Sequence, residues 1–176
     1  MLRIGLVYGL ISGLIIIASI TLSLIFSGDE VSSALEWLGY LIMLIALSAV
    51  FFGIKRHRDI NHGGVITFWS ALAVGALISA VAAVAYVVVW EVYLGFSGST
   101  FIDAYTAGIL EQKAASGASE AEMAEATAKM DEMKKQYANP LYRIPITVLE
   151  ILPVGLVVAL VSAAILRNPK VLPAHA

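Results

Sequence analysis

Glu150 stands in an otherwise uncharged stretch, Ile144 to Leu166, with Pro153 three residues behind it. An ionised carboxylate in hydrocarbon is costly, so such a group is expected to be protonated, paired or next to water. Pro153 has no N–H to give the carbonyl of Leu149, which predicts a helix break at Pro153 and a freed acceptor close to the acid. A carboxylate beside a broken helix can hold an ion or a proton. Helical spacing puts Arg143, Thr147 and Val154 on the face of Glu150, and Tyr86 is a polar neighbour from another apolar stretch. The competing reading is a fixed polar contact of Glu150 with Tyr86, Thr147 or the freed carbonyl, with no change of protonation. Both readings stay open. Glu91, beside Trp90 and Tyr93, reads most simply as a solvated acid at an interface, with Arg143 as an alternative partner.

A second group with chemical potential is the run Lys55-Arg56-His57-Arg58. Lys55, Arg56 and Arg58 could recognise anionic lipid headgroups or a phosphorylated ligand. Membrane topology alone also explains basic residues at this place, and that simpler explanation takes precedence. His57 and His62 lack a helical ligand spacing, so no metal site is expected. The chain has no cysteine, which removes disulfides, thiolate metal sites and cysteine nucleophiles. It has no histidine pair on a helix face, no Gly-x-Ser-x-Gly and no phosphate-cradling loop. No catalytic residue, cofactor or nucleic-acid partner is expected, and an intramembrane enzyme is the weakest reading.

The elements that must carry these residues follow from composition: of 176 residues, 60% are hydrophobic and 14% charged. Crossing about 30 Å of hydrocarbon takes about 20 helical residues. Four stretches are long enough, at about 4–26, 35–54, 65–93 and 144–166. The first is too long for a signal h-region and lacks a small-x-small cleavage pattern, and Ser27-Gly28-Asp29-Glu30 reads as a short loop behind an uncleaved anchor. The fold class is therefore all-α: a polytopic membrane protein of four transmembrane helices in one domain, 1–176. Glu150 falls about 9 Å from the outer end of the fourth.

Arg3, the run from Lys55 to Arg58, and Arg167 with Lys170 share one side if the helices alternate, which places both termini in the cytoplasm. The inner loop then runs from Lys55 to Gly64. The other side receives Asp29, Glu30 and the segment from Gly95 to Tyr142, where seven acidic residues face four lysines. Trp37, Trp90 and Tyr93 would mark the outer interface and Trp69 the inner one.

The alanine, glutamate and lysine content of the outer segment predicts an extracytoplasmic helical hairpin over about 98–139, between helices 3 and 4. Ser119 and Glu122 match a capping box. Met123, Ala126, Met130, Met133 and Tyr137 form one apolar stripe, and Phe101, Ile102, Tyr105 and Ile109 a shorter one. Ser116-Gly117 supplies the turn and Asn139-Pro140 the end. The stripes could offer a methionine-rich docking face. They could equally pack on each other, and this plainer reading takes precedence.

Gly5, Gly9 and Gly13, then Gly75, Ser79 and Ala83, then Gly155, Ala159 and Ala163 form small-residue columns on three of the four helices. Such columns let backbones approach closely, and packing within one chain explains them more simply than an oligomer does.

The phrases Phe52-Gly53-Ile54-Lys55-Arg56-His57-Arg58-Asp59, Gly63-Gly64-Val65-Ile66-Thr67-Phe68 and Thr147-Val148-Leu149-Glu150-Ile151-Leu152-Pro153-Val154-Gly155 resemble domain-of-unknown-function family 4199 of bacterial membrane proteins. The resemblance covers nearly the whole chain. It implies a bacterial inner (cytoplasmic) membrane protein, multi-pass, with four helices, and it carries no established activity. The expected partners are the lipid bilayer and a membrane or periplasmic protein or a second copy of the chain. The leading function is a structural or accessory protein that presents its outer hairpin to a partner. The alternative is a small oligomeric transporter, channel or lipid-handling protein that uses Glu150. The small size of the chain favours the first.

Overall fold

The computed structural model describes residues 1–27 and 33–173. Residues 28–32, with Asp29 and Glu30 of the expected first loop, and the side chain of Trp37 lie outside the described residues. Six helices make up the described chain, with no strand: α1 (Leu2–Ser27), α2 (Ser33–Asn61), α3 (Phe68–Ser97), α4 (Thr100–Ala115), α5 (Glu120–Tyr137) and α6 (Pro140–Leu166).

Local chemistry explains where these helices start and stop. Thr67 caps α3 by accepting a hydrogen bond from the Ser70 N–H, and Gly98, at φ 62°, closes its far end. Gly63 and Gly64, at φ 59° and 89°, turn the chain between α2 and α3, a conformation that side-chain-bearing residues rarely adopt. The capping box of Ser119 and Glu122 is formed at the start of α5. Asn139 caps α6 and Pro140 takes its first position, where a missing N–H costs nothing.

The helices exceed the expected spans at three places. α2 continues to Asn61, so Lys55–Asp59 are helical and only the residues after Asn61 form the inner connection. α3 runs four residues past Tyr93, to Ser97. α6 begins four residues early, because Pro140 starts a helix as readily as Asn139-Pro140 ends one. α6 also passes through both Pro145 and Pro153. At Pro153, expected to break the helix, α6 lacks one hydrogen bond and continues.

α3 packs on both α1 and α6, and α2 touches α1, α3 and α6. The small-residue columns lie in these contacts. A Cβ on Gly9 would stand 2.5 Å from the Val81 Cβ and 2.8 Å from the Ile78 carbonyl, and one on Gly13 would stand 2.9 Å from Ala85. Gly75 meets Ala159, and Gly155 meets Ser79. Close approach of α1 to α3, and of α3 to α6, therefore requires residues this small. The core between the helices holds Leu47, Val50 and Ile54 of α2, Val74 and Ile78 of α3, and Ala159, Ala163 and Leu166 of α6.

α3 and α6 are each long and apolar enough to cross a membrane. The outward faces are apolar too: Leu6, Leu10 and Leu14 of α1, Val84 and Val88 of α3, and Val157 and Val161 of α6 are exposed. α4 and α5 pack on each other, with lesser contact of α4 to α3 and of α5 to α6. Met123, Ala126, Met130 and Met133 are half-buried, as are Lys134, Gln136 and Tyr137, on an otherwise exposed α5. The apolar stripe is thus the less exposed side of α5.

Candidate functional site

Where α3, α4, α5 and α6 meet, polar and aromatic side chains converge. Arg143, in the first turn of α6, donates from Nε to Glu91 Oε1 at 2.8 Å and from Nη2 to Glu91 Oε2 at 2.5 Å. Its Nη1 donates to the Tyr137 carbonyl at 2.8 Å, and its guanidinium lies 5.6 Å from the centre of the Tyr137 ring. One arginine therefore ties the ends of α3 and α5 to its own helix. The forked geometry suits a guanidinium and a carboxylate, and no lysine could reproduce it. Glu91, read above as a solvated acid, is instead paired, with the side chains of Arg143 and Glu91 only 12% and 26% exposed.

An aromatic cluster sits beside this pair. Trp90 Nε1 donates to the Tyr137 hydroxyl at 2.8 Å. The Trp90 ring stacks on Tyr86 and Tyr93 and meets Phe101 of α4 edge-on at 4.8 Å between centres. Such packing adds to simple area burial. Desolvation pushes the Tyr137 hydroxyl above its ordinary range despite the hydrogen bond from Trp90. Further out, Lys134 pairs with Asp103 at 2.9 Å, linking α5 to α4, and this lysine holds the Asp103 carboxyl below its usual range.

Glu150 does not join this cluster by a hydrogen bond. Thr147 is buried and donates to the Arg143 carbonyl at 3.0 Å, and Tyr86 is buried in the aromatic stack. Glu150 itself is exposed, next to exposed Leu149, and makes no hydrogen bond among the described residues. With α6 starting at Pro140, it lies ten residues in, about 15 Å along the helix rather than 9 Å. The fixed polar contact with Tyr86 or Thr147 is therefore not made.

The opposite end of the molecule is organised by Arg58, which is fully buried. Its Nε donates to Asp59 at 2.8 Å, and its two terminal nitrogens donate to the carbonyls of Val171 and Leu172. Nη1 also lies 3.5 Å from the carbonyl of Leu166, the last residue of α6. A cation there meets the negative end of that helix dipole. Leu172 adopts a left-handed backbone at φ 46°, and its carbonyl is one that Arg58 holds. Arg58, one of the headgroup candidates, thus uses its donors inside the chain, in a structural role. Lys55 pairs with Asp59 at 2.6 Å, and Arg56 is exposed. Burial raises the Asp59 carboxyl, but hydrogen bonds from Lys55 and Arg58 outweigh it and hold the group below its usual range.

The burial of Arg58 had a signal in the sequence. Leu47, Val50, Ile54 and Arg58 recur at spacings of three and four, so the arginine continues the core face of α2. His57 and His62 also come together, with Nε2 atoms 3.3 Å apart and His57 Nδ1 3.1 Å from Asn61 Oδ1. The chain turns back just after Asn61, and a spacing of five residues then suffices. Burial lowers the His57 pKa, and His62 adds to the effect. Among the described residues no group of three histidines or carboxylates could hold a metal ion.

No curated protein and no solved structure matches the chain. One family model matches residues 7–168, which is most of the chain, and its description is "Protein of unknown function (DUF4199)". On that match the chain belongs to the DUF4199 family of proteins of unknown function.

Proposed function

We propose that this chain is a multi-pass membrane protein whose α1, α2, α3 and α6 form a transmembrane four-helix bundle, with α4 and α5 as a hairpin held on the outer side as a docking platform. Both termini lie on the cytoplasmic side in this reading, and the membrane is a bacterial inner membrane. The observation that carries it is the junction of Arg143, Glu91, Tyr137 and Trp90. A surface presented to a partner must be oriented, and these contacts orient the hairpin against the bundle. The outward apolar faces of all four long helices and the placement of basic residues support the bilayer setting.

The absence of cysteine allows a direct test. Ser116→Cys should react with a membrane-impermeant maleimide from outside intact cells, and Lys170→Cys only after the membrane is opened. The opposite pattern, or labelling of both from one side, would sink the topology. Native mass spectrometry after gentle extraction should then find a second protein in fixed stoichiometry, lost when residues 100–138 are replaced by a short linker.

A second reading has one observation in its favour. Glu150 is exposed on an apolar helix surface and makes no hydrogen bond among the described residues, so a symmetric oligomer that covers it would create an acidic site between copies. A pH-dependent ion flux abolished by Glu150→Gln would establish this transporter or channel reading over the accessory one.

A further inference from the structure

The inner ends of α1 and α2 enclose a groove of about 570 Å³. Most of its wall is apolar, with Val7 and Ile11 of α1 and Ile60 of α2 lining it, while Arg3 and Arg56 reach it from the two helices. Val7, Ile11 and Ile60 are 47%, 42% and 63% exposed, so the apolar wall can be reached from outside the chain. Arg3 and Arg56 are exposed, and neither makes an ion pair or a hydrogen bond among the described residues. Their neighbours Lys55 and Arg58 are committed to Asp59 and to backbone carbonyls. The fold therefore sets two uncommitted guanidiniums over an open apolar trough.

A ligand that fits both parts needs a compact anionic head and a hydrocarbon tail. Guanidinium groups bind phosphate oxygens in a forked geometry, and basic side chains at the cytoplasmic surface attract anionic lipid. We propose that this groove binds one anionic phospholipid, its phosphate between Arg3 and Arg56 and an acyl chain along Val7 and Ile11. The proposal rests on the bilayer reading of α1 and α2 given above. It differs from a general attraction to acidic membranes because it names one site and one stoichiometry. Arg167 and Lys170 offer two further exposed cations near the end of α6, outside the groove.

The test uses the full chain in nanodiscs made of equal parts phosphatidylglycerol and phosphatidylcholine, released into a native mass spectrometer. The wild type should retain one phosphatidylglycerol in at least tenfold preference. Arg3→Gln with Arg56→Gln should abolish the preference, whereas Arg167→Gln with Lys170→Gln, which removes the same charge, should keep it. Val7→Trp should lower retention by filling the trough, and glycerol phosphate added in solution should not compete. Equal loss in the two double variants, unchanged retention in Val7→Trp, or full competition by glycerol phosphate would each overturn the site. Failure of the protein to float with vesicles would instead overturn the bilayer reading, and the site with it.

Discussion

Arg143 and Glu91 are separated by 52 positions in the chain and form a two-pronged ion pair between α6 and α3, at 2.8 and 2.5 Å. Fully exposed pairs contribute up to about 1 kcal/mol, and breaking fully buried ones costs about 3–5 kcal/mol. The partial exposure of this pair places Glu91→Gln between them, at about 2 kcal/mol of destabilisation. Arg143→Gln should cost more, because the Tyr137 carbonyl and ring lose their partner as well. Thermal unfolding in detergent of both single variants and the double variant measures the coupling. Hydrogen exchange should show α5 loosening before α3.

Arg58→Met should destabilise the protein by about 3 kcal/mol or more, since Asp59 and the carbonyls of Val171 and Leu172 lose a buried donor together. Residues 167–173 should become sensitive to protease at a temperature where α3 still resists. Equal resistance in the variant and the wild type would show that the contacts of Arg58 are dispensable.

Gly9→Val should displace α1 from α3 and cost about 1–3 kcal/mol or more, because the new Cβ meets the Ile78 carbonyl, which cannot rotate away. Gly95→Ala is the matched control. Nothing lies within 4 Å of a Cβ there, and alanine in a helix is favoured over glycine by about 0.5–1 kcal/mol. Unfolding midpoints of the two variants should therefore shift in opposite directions.

The lowered pKa of His57 has a pH consequence. The unfolded chain takes up the proton more readily than the folded one, so the contribution of His57 is complete above the ordinary histidine value of 6.5 and is lost as pH falls below it through the folded value. Asp59 is also held down, so its contribution persists above its ordinary value of 3.8 and fades only in stronger acid. A stability profile of His57→Gln should be flatter than that of the wild type just below pH 6.5 and should follow it again near pH 4.

Glu150→Gln should leave the unfolding midpoint nearly unchanged, within about 0.5 kcal/mol, because no hydrogen bond among the described residues depends on the charge. A large change in either direction would mean that another copy or partner covers Glu150 in the measured state.

What could be read from residue order alone follows from the range of each interaction. The Ser119–Glu122 capping box and the start of α5 depend on atoms three residues apart, and they form as the spacing predicts. The glycine columns carry their meaning in period four, and they meet partners within the chain. The Arg143–Glu91 pair and the Trp90–Tyr137 hydrogen bond depend on how α3, α5 and α6 are brought together, which no local pattern encodes. Arg58 was hidden for a different reason: a basic run after an apolar stretch has a sufficient explanation in topology, which masks a residue that also continues the core face. Glu150 was legible as unusual but not in its depth, because a start at Pro140 in place of Ile144 sets it about one turn further along the helix.

The burial of Arg58 sets an order on the maturation of the chain. Its acceptors at Leu166, Val171 and Leu172 lie more than a hundred residues downstream, so they do not yet exist when α2 leaves the ribosome. Until then that guanidinium must stay hydrated, since burying it alone would cost several kcal/mol. The emergence of α6 and the residues after it thus releases α2 to seat fully, and a nascent chain arrested before Leu166 should still expose Arg58 to solvent.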